Sequence, residues 1–518
     1  MIEPPRDPPR NDGERARVNL AGGADRLVIG RGGSGAALAR GSAWVAVGQV
    51  LTAISGMATS VLAARVLSPD DFGLMGIALL AIATLNALSQ TGFDRALVQR
   101  TDIEGYVNTA WTVQVLRGAL LASIILALAR PLAWFYDEPA LFGIFAVMSA
   151  SMVATGFRNT ATICFQRALD FRSVVLLNAA RALVKLVVVV VMLYLMRNVW
   201  ALVMGHVFEA VADLVLSYMM HPFRPRFEWN RKRARELVRF GKWITGMAIL
   251  GLAVTRGDDM FVSKYLGLVA LGLYTFAYEL ANLPATNVTH VVGQVSFATY
   301  SRLNDAGDLV ELRRALFNVM KATMLITGPL SAFFFLGIDS IVAHVVGPQW
   351  EPIIPLVRIL AIAGFIRSVA ALATGLLHGA GKPHLDFIMN LPRFVLLAAL
   401  IWPACAWRGI EGASWLALAT ISTCLPTWFY GLRTIAGVTL GDLLRVNALP
   451  FLTTVSLVVS YLLSEWLVPP DHLVLYIAQL LVCLLLWGAT MWVLGKVTPY
   501  RIFDEIRGLQ VALRKKNS

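Results

Sequence analysis

The sequence predicts an all-α polytopic membrane protein with about fourteen transmembrane helices, arranged as two pseudo-symmetric six-helix lobes and two C-terminal helices. Three observations predict this fold. Of the 518 residues, 57% are hydrophobic and only 15% are charged, a balance that a soluble domain of this length cannot hide from water. Apolar runs of membrane-spanning length recur along the chain, and a motif near the start of the first half returns at the start of the second.

The predicted helices follow from the apolar runs, because about 20 mostly apolar residues are needed to cross a bilayer. In the first half of the chain, six helices are expected to begin near residues 43, 73, 109, 139, 174 and 198. In the second half, six begin near residues 242, 268, 314, 353, 384 and 410, and two final helices begin near 447 and 471. An even number of crossings places both termini on one side of the membrane.

The segments between and outside the helices complete the predicted domain organisation. The first 40 residues are rich in Arg, Pro and Gly and contain no long apolar run, which indicates a disordered tail rather than a secretion signal. We divide the chain into an N-terminal tail (1–40), an N-lobe (41–220), a basic linker (221–241), a C-lobe (242–432), the two final helices (433–495) and a basic C-terminal tail (496–518).

The formal charge of +13 indicates orientation rather than nucleic-acid binding. Most of the 45 Lys and Arg residues fall in the termini and in the loops on the same side as the termini. By the positive-inside rule, that side is cytoplasmic. The basic segment from Arg224 to Lys242 is expected at the lipid headgroups, where it anchors the orientation. We therefore predict a multi-pass protein of the bacterial inner membrane with both termini in the cytoplasm and no nucleic-acid partner.

The sequence gives no indication of catalysis or of a cofactor. The four cysteines have no spacing typical of a metal or redox site. The longest predicted outer loop, from Asp339 to Glu351, is too short for a soluble catalytic domain. We expect a protein that is not an enzyme; a membrane-embedded enzyme or an assembly scaffold of a glycan pathway is the alternative of a different class.

A repeated motif relates the two halves of the chain. RVLSPDDFGLM (residues 65–75) aligns with KYLGLVALGLY (residues 264–274) at an offset of 199 residues, which matches Gly73 with Gly272. Both copies are predicted to start in the cytoplasm, cross outward and turn at a short outer loop. The repeats are therefore parallel, as in transporters whose halves rock against each other.

Charged residues within the predicted helices are the first candidates for function, since a charge at the bilayer centre costs roughly 2.5–3.5 kcal/mol. Two successive helices each present three polar residues on one face: Asn178, Arg181 and Lys185 on the fifth, and His206, Glu209 and Asp213 on the sixth. These faces can pair with each other as a neutral brace. Alternatively, the cations attract an anionic substrate into a hydrated cavity while a carboxylate exchanges a coupling cation.

The second half adds two further polar groups. Arg256 and Asp259 share a face of the seventh helix, and Tyr274, Tyr278 and Asn282 form a stripe on the eighth. Such a stripe suits sugar hydroxyls, although packing explains the aromatic residues equally well.

These patterns define the predicted site. The predicted cavity cations are Arg117, Arg181, Lys185 and Arg256; the polar and aromatic substrate contacts are Asn178, Tyr274, Tyr278 and Asn282; the ion-coupling carboxylates are Glu209, Asp213 and Asp259. Further positive charge within the spans comes from Lys321, Arg358, Arg367 and Arg393. We expect a net cationic interior, with no metal ion and no catalytic residue.

Several segments resemble one family. AARVLSPDDFGLMGIALL, followed by GFDRALVQR, resembles the opening hairpin of bacterial polysaccharide exporters of the Wzx flippase type. RELVRFGKW, DDMFVSKYLGLVALGLYTFAYELANLP and FATYSRL are similar to the start of that family's second lobe. The resemblance covers the first, second, seventh and eighth helices. It implies the multidrug/oligosaccharidyl-lipid/polysaccharide exporter superfamily, in which two six-helix lobes surround a central cavity and two helices are additional.

The resemblance also implies a function. Exporters of this type move undecaprenyl pyrophosphate-linked oligosaccharides from the cytoplasmic to the periplasmic leaflet, by alternating access, for O-antigen, exopolysaccharide or capsule assembly. The implied partners are the lipid-linked oligosaccharide, membrane lipids, a coupling H⁺ or Na⁺, and the polymerase and chain-length proteins of the pathway. Two relatives are alternatives: a drug exporter of the MATE type, which needs an acidic cavity for lipophilic cations, and a peptidoglycan-precursor flippase, which shares the anionic lipid substrate.

Overall fold

The structure, a computed structural model, describes residues 17–18, 27–28, 35–89, 104–168, 170–467 and 473–497. Fifteen α-helices occupy this part of the chain: α1 (Gly35–Val66), α2 (Pro69–Leu88), α3 (Glu104–Phe135), α4 (Ala140–Phe157), α5 (Ile163–Arg167), α6 (Phe171–Met196), α7 (Trp200–Met220), α8 (Arg231–Tyr265), α9 (Leu268–Asp305), α10 (Leu309–Ile341), α11 (Ile354–Gly379), α12 (Pro383–Ser422), α13 (Cys424–Ala436), α14 (Leu440–Leu467) and α15 (Leu473–Val497).

Shorter elements complete the described chain. A 3₁₀ turn, Thr160–Thr162, precedes α5, while a π-helical turn, Val342–Val346, and a 3₁₀ turn, Pro348–Ile353, join α10 to α11. The strands Arg17–Val18 and Leu27–Val28 pair antiparallel within the predicted N-terminal tail. The rest of that tail before residue 35, the GFDRALVQR segment and the C-terminal tail beyond residue 497 lie outside the described residues.

The helices confirm the predicted all-α polytopic fold. Eleven helical stretches in the described chain are long and apolar enough to cross a membrane. One of them, Ile388–Ala436, leaves helical geometry at Arg408 and at Gly409, whose φ is 57°. It therefore supplies both the eleventh and the twelfth predicted helices. The seventh and eighth are α8 and α9, which are long but more polar, with only Leu268–Leu283 forming a short apolar stretch.

Helix α8 begins at Arg231, eleven residues before the predicted start of the seventh helix. The sequence RKRARELVRFG is rich in good helix formers, so the helix continues through residues that are too polar to belong to the membrane. An apolar run marks where a helix enters the bilayer, not where it begins. Only His221–Asn230 of the predicted linker is non-helical, and it binds the N-lobe through the Asn159 side-chain amide, which donates to the Phe223 carbonyl at 2.8 Å.

Apart from α2, which packs mainly on α8 and α9, the helices pack as two groups drawn from the two halves of the chain. In the N-lobe, α1 packs on α6, α6 on α7, α7 on α4 and α4 on α3, while α2 contacts α3 and α4. In the C-lobe, α9 and α10 pack on α11, and α12 packs on α8, α11 and α13. Helix α14 lies against α10, and α15 lies against α14, which places the last two helices outside both lobes.

The lobes meet at the end of the molecule that carries the α1–α2 and α8–α9 turns, which we call the closed end. Helices α2 and α9, the second helix of each lobe, pack directly on each other there. The α1–α2 turn is tight because Ser68 and Asp71 form a reciprocal capping box and Pro69 occupies the first turn of α2. The described hydrogen bonds between the lobes concentrate at this end.

Glycines of the repeated motif allow α2 and α9 to cross at backbone distance. A Cβ added to Gly73 would lie 2.2 Å from the carbonyl oxygen of Leu268, and one added to Gly272 would lie 1.8 Å from that of Pro69. The two contacts are equivalent under the 199-residue offset, since Pro69 aligns with Leu268. The pseudo-twofold axis of the fold therefore passes between the two glycines.

Aromatic residues from three segments seal the closed end beside this crossing. Trp350 is fully buried, with ring centroids 4.9 Å from Phe72 of α2 and 4.4 Å from Phe276 of α9. Its indole Nε1 donates to the carbonyl of Ala64 at 2.8 Å. A side chain of the C-lobe thus binds the last turn of α1 in the N-lobe.

Two cations at aligned positions connect the lobes reciprocally. Arg65, at the end of α1, donates from Nη1 to the Val345 carbonyl at 3.2 Å, just beyond α10. Lys264, at the end of α8, donates from Nζ to the Phe135 carbonyl at 2.6 Å, at the end of α3. Each cation binds the carbonyl end of the third helix in the opposite lobe, where the helix dipole favours positive charge. We call these two contacts the reciprocal latches.

Candidate substrate-binding site

A polar cavity of about 270 Å³ lies inside the N-lobe, between α2, α3, α4, α6 and α7. Its lining includes most of the ionisable residues predicted for this lobe. The polar and charged residues around it are Asn86, Gln114, Arg117, Ser151, Thr155, Arg181, His206, Glu209 and Asp213.

The two polar faces of α6 and α7 meet as ion pairs. Lys185 Nζ lies 3.1 Å from Glu209 Oε2, and Arg181 Nη1 lies 3.9 Å from Asp213 Oδ2. Both cations retain about a third of their side-chain surface exposed, whereas the Asp213 side chain is only 7% exposed. In this conformation the cations are neutralised by the carboxylates opposite them, as the brace hypothesis requires, and Arg181 also lines the cavity.

Sequence reasoning missed the nearest partner of Asp213. Arg158 Nε lies 3.3 Å from Asp213 Oδ2, closer than Arg181. Arg158 is the C-terminal cap of α4, and helical spacing provided no signal for it because it lies just outside the regular helix. Asp213 therefore holds two arginines from different helices.

The other two predicted N-lobe residues lie on the same side of the lobe. Arg117 Nε donates to Ser89 Oγ at 3.0 Å and its Nη2 donates to Asn86 Oδ1 at 2.9 Å, which fixes the guanidinium at the end of α2. Asn178 is half-buried, one turn before Arg181 on α6. Arg117 thus lines the cavity, while hydrogen bonds to α2 set its position.

In the C-lobe, α8 and α9 form a buried acidic cluster with one accessible cation. Arg256 Nη1 lies 2.9 Å from Asp259 Oδ2, and the arginine side chain is 51% exposed. Asp258 and Asp259 are both 5% exposed, and Asp258 accepts a hydrogen bond from the Tyr274 hydroxyl at 2.6 Å. The predicted pair on the seventh helix therefore exists, with Asp258 as an additional member.

The predicted sugar-binding stripe on α9 is largely buried in this conformation. Tyr274 has no exposed surface and donates to Asp258, and Asn282 is 3% exposed with its Nδ2 bonded to the Tyr278 carbonyl. Both side chains pack inside the C-lobe, so neither reaches a substrate. Only Tyr278 is half-buried, and Arg367 lies 4.9 Å from its ring centroid. The three residues share one face of α9, as expected, but that face packs mainly against other parts of the C-lobe.

Glu279, which sequence analysis did not place in the site, joins the two lobes. Its Oε1 accepts a hydrogen bond from Ser60 Oγ of α1 at 2.5 Å. The side chain is exposed, and it lies within electrostatic range of Lys185 in the N-lobe and Arg256 in the C-lobe. Glu279 thus marks the point where the charged surfaces of both lobes face each other below the closed end. No sequence signal connects it to Ser60, which is 219 positions away.

A family model described as polysaccharide biosynthesis protein matches residues 61–355, more than half of the chain. The chain belongs to the polysaccharide biosynthesis protein family. The matched region runs from the end of α1 to the start of α11 and includes both copies of the repeated motif, both reciprocal latches and the charged pairs of both lobes. Membership of this family and the apolar helices together make the chain a multi-pass membrane protein.

Proteins similar to this chain come from several bacteria. It is 23% identical over 430 residues to the lipopolysaccharide biosynthesis protein WzxC of Escherichia coli, covering 82% of this chain and 87% of that protein. It is 24% identical over 363 residues to the succinoglycan biosynthesis transport protein ExoT of Rhizobium meliloti, covering 70% of this chain and 73% of that one.

Solved structures share the fold of this family member. The lipid II flippase MurJ, in an inward closed conformation, superposes with a TM-score of 0.65 at 13% identity, covering 87% of this chain and 98% of that chain. An outward-facing multidrug transporter of the MATE family superposes with a TM-score of 0.56 at 15% identity, covering 79% and 99%. At such identities the likeness shows a common fold of transporters, and the site residues must be argued from this chain alone.

Proposed function

We propose that this protein is a flippase that moves a lipid pyrophosphate-linked oligosaccharide from the cytoplasmic to the periplasmic leaflet. The observation that carries the proposal is the position of the charged residues. Lys185 of the N-lobe and Arg256 of the C-lobe both lie within electrostatic range of Glu279, which contacts α1 of the N-lobe through Ser60. Such a surface suits the hydrated, anionic part of a lipid-linked sugar, while the lipid tail stays in the bilayer.

The conformation supports alternating access. The distribution of Lys and Arg assigns the closed end to the periplasmic side, since the α1–α2 and α8–α9 turns are the predicted outer turns. The structure then corresponds to a state closed toward the periplasm. Rocking about the crossing of α2 and α9 would break the reciprocal latches and open the periplasmic side.

The ion pairs support an exchange of partners during the transport cycle. Without substrate, Glu209 neutralises Lys185 and Asp213 neutralises Arg181. Negative charge on the entering substrate competes for the cations, and the released carboxylates then bind a proton or Na⁺. In this scheme the same residues form the brace in one state and the substrate site in another. Asp259 would exchange its ion pair with Arg256 in the same way.

The membrane potential favours the proposed direction. Outward movement of negative charge is favoured by an inside-negative potential, by about 2.3 kcal/mol per charge per 100 mV. The polymerase and chain-length proteins of a polysaccharide pathway are the partners expected to receive the product. We further propose that both termini are cytoplasmic and that the lobes extend over residues 41–220 and 242–432.

A leaflet-transfer assay tests the proposal. In proteoliposomes, a fluorescent lipid-linked oligosaccharide should become accessible on both leaflets with the wild-type protein, and its mass should stay unchanged. The double variant Arg181→Gln/Lys185→Gln is expected to lose at least 90% of this rate. The control Arg314→Gln removes an exposed cation paired with Glu311 on α10 and is expected to keep the wild-type rate. A wild-type rate in the folded double variant would contradict the assignment of the cavity.

Fold likeness to a lipid II flippase and to drug transporters defines the second candidates. The same proteoliposomes distinguish them. Faster transfer of a labelled peptidoglycan precursor than of the lipid-linked oligosaccharide would assign the protein to that substrate. Accumulation of a lipophilic cation would indicate a drug transporter, which the cations facing the cavity argue against.

A further inference from the structure

Two arginines of the C-lobe differ from Arg181, Lys185 and Arg256. Arg181, Lys185 and Arg256 each have a carboxylate within 4 Å. Arg367 of α11 and Arg393 of α12 form no ion pair with a carboxylate in the part of the chain that the structure describes. For both, the Nε atom is buried and lacks a hydrogen-bond acceptor.

The two guanidinium groups lie within electrostatic range of each other. Arg393 is only 8% exposed, and Arg367 is the charged residue that acts on it most strongly. Tyr278 also lies within electrostatic range of Arg393, and the Arg367 guanidinium stands 4.9 Å from the Tyr278 ring centroid. Asp258 is the carboxylate within range of Arg393, but it is beyond ion-pair distance and accepts the hydrogen bond of a tyrosine.

Such a pair requires a counter-ion. Two like charges close together repel each other, and the buried Arg393 has also lost most of its hydration, so an ion pair with an anion would stabilise this site. A guanidinium presents planar, paired N–H donors, and its preferred anions are carboxylate and phosphate, which it binds bidentately. Because neither arginine forms an ion pair with a carboxylate of the described residues, the two are suited to an anion that arrives from outside the chain.

The position of the pair connects it to the proposed substrate path. Tyr278 precedes Glu279 on α9, and Glu279 touches α1 of the N-lobe through Ser60. The arginines therefore lie behind the residue where the two lobes meet, on the C-lobe side. An anion held there would be near the lobe interface but separate from the paired charges of α6 and α7.

We propose that Arg367 and Arg393 form a binding site for the diphosphate group of the lipid-linked substrate, and that the Tyr278 ring packs against the Arg367 guanidinium and orients it. This inference rests on the proposed flippase function and assigns the diphosphate to the C-lobe. The paired cations Arg181 and Lys185 then remain available to control the cycle through their carboxylates.

Binding of short prenyl lipids to the purified full-length protein in nanodiscs tests the site. The probes are farnesyl diphosphate and farnesol, measured by isothermal titration calorimetry. The wild-type protein should bind farnesyl diphosphate at least tenfold more tightly than farnesol. The variant Arg367→Gln/Arg393→Gln should lose at least tenfold in diphosphate affinity and nothing in farnesol affinity. Arg367→Lys/Arg393→Lys, which keeps the charge but not the paired donors, should lose less.

A matched control variant and a check of folding accompany the binding measurement. Arg358→Gln removes a cation from the same helix as Arg367, but one paired with Asp339, and should leave diphosphate binding unchanged. Should the double variant not remain monodisperse, the less buried Arg367→Gln alone should still show a loss of at least threefold. Diphosphate affinity within twofold of wild type in a folded variant would overturn the proposal, as would an equal loss for farnesol.

Leaflet transfer distinguishes failure of this site from failure of the proposed function. If wild-type protein transfers the lipid-linked oligosaccharide and the folded double variant transfers it equally fast, the arginine site is wrong and the flippase function stands. If wild-type protein binds farnesyl diphosphate through these arginines but transfers no lipid-linked oligosaccharide, the site stands and the proposed function is wrong.

Discussion

Adding a methyl group at the crossing of α2 and α9 perturbs the contact that closes one end of the molecule. Gly272 lies against the backbone of α2, and a Cβ at this position would stand 1.8 Å from the Pro69 carbonyl oxygen and 2.9 Å from the Gly73 nitrogen. Both atoms belong to the backbone, so no side-chain rotation relieves the overlap. The variant Gly272→Ala must therefore push the two helices apart at the pseudo-twofold axis.

The geometry sets the size of the effect. Ordinary contact for a Cβ begins near 3.4 Å, so the backbones must separate by roughly 1.6 Å at Gly272. Overpacking of a well-packed contact typically costs about 1–3 kcal/mol. If the closed end is open in the alternate state, only the closed state bears this cost. The ratio of open to closed molecules should then rise by about 5- to 150-fold.

Distances between spin labels at the closed end measure this ratio. Labels at Trp134→Cys, at the end of α3 in the N-lobe, and at Val269→Cys, at the start of α9 in the C-lobe, occupy exposed positions at the closed end, on a background without the four native cysteines. Gly272→Ala should increase the long-distance population at least fivefold. The control Gly56→Ala adds a methyl group that meets nothing within 4 Å and should change nothing. An unchanged distribution in folded Gly272→Ala protein would refute the crossing as the point of closure.

Two further predictions use the same spin labels and thermal unfolding. Arg65→Gln and Lys264→Gln each remove one of the reciprocal latches, so each should raise the open population by a similar factor. The double variant should raise it by about the product of the two single factors. If neither variant changes the open population, the reciprocal latches do not hold the closed end together. Asp213→Asn leaves Arg158 and Arg181 without this carboxylate and should lower the melting temperature, by about 1 °C for each kcal/mol lost. Arg158→Gln added to it should recover part of the loss. Equal stability of wild type and Asp213→Asn would contradict the paired arrangement.

Apolar run length predicted the helices well, because the membrane imposes one length and one composition on each crossing. The same signal placed the start of α8 too late. Outside the bilayer, helix formation depends on residue propensity and capping, which hydropathy does not report. Arg231 therefore begins a helix that the apolar profile detects only near residue 242.

The repeat predicted that Gly73 and Gly272 occupy equivalent positions, and the structure shows why glycine is needed at both. Internal similarity gives equivalence under the symmetry of the fold, but it does not show that equivalent residues touch. Contact requires the axis to pass between them, which is a property of how the lobes dock. The reciprocal latches of Arg65 and Lys264 follow from the same axis, and their aligned positions were the available signal.

Helical spacing predicted which polar residues share a face but not what that face contacts. It placed Arg181 and Lys185 together and correctly offered Glu209 and Asp213 as their partners. It also placed Tyr274 and Asn282 on the face of Tyr278, although that face is mostly turned into the C-lobe. Helical spacing could not identify partners that are far apart in the chain or outside regular helices, because only the packing of the lobes brings them together.

Transfer of the substrate between leaflets tests the central claim most directly. Proteoliposomes containing wild-type protein and a fluorescent lipid-linked oligosaccharide are treated with a reductant that cannot cross the membrane. If the protein is a flippase, fluorescence should fall well below half, because inner-leaflet molecules reach the outer leaflet, and the recovered lipid should keep its original mass. A plateau at one half, as in protein-free liposomes, would contradict the account.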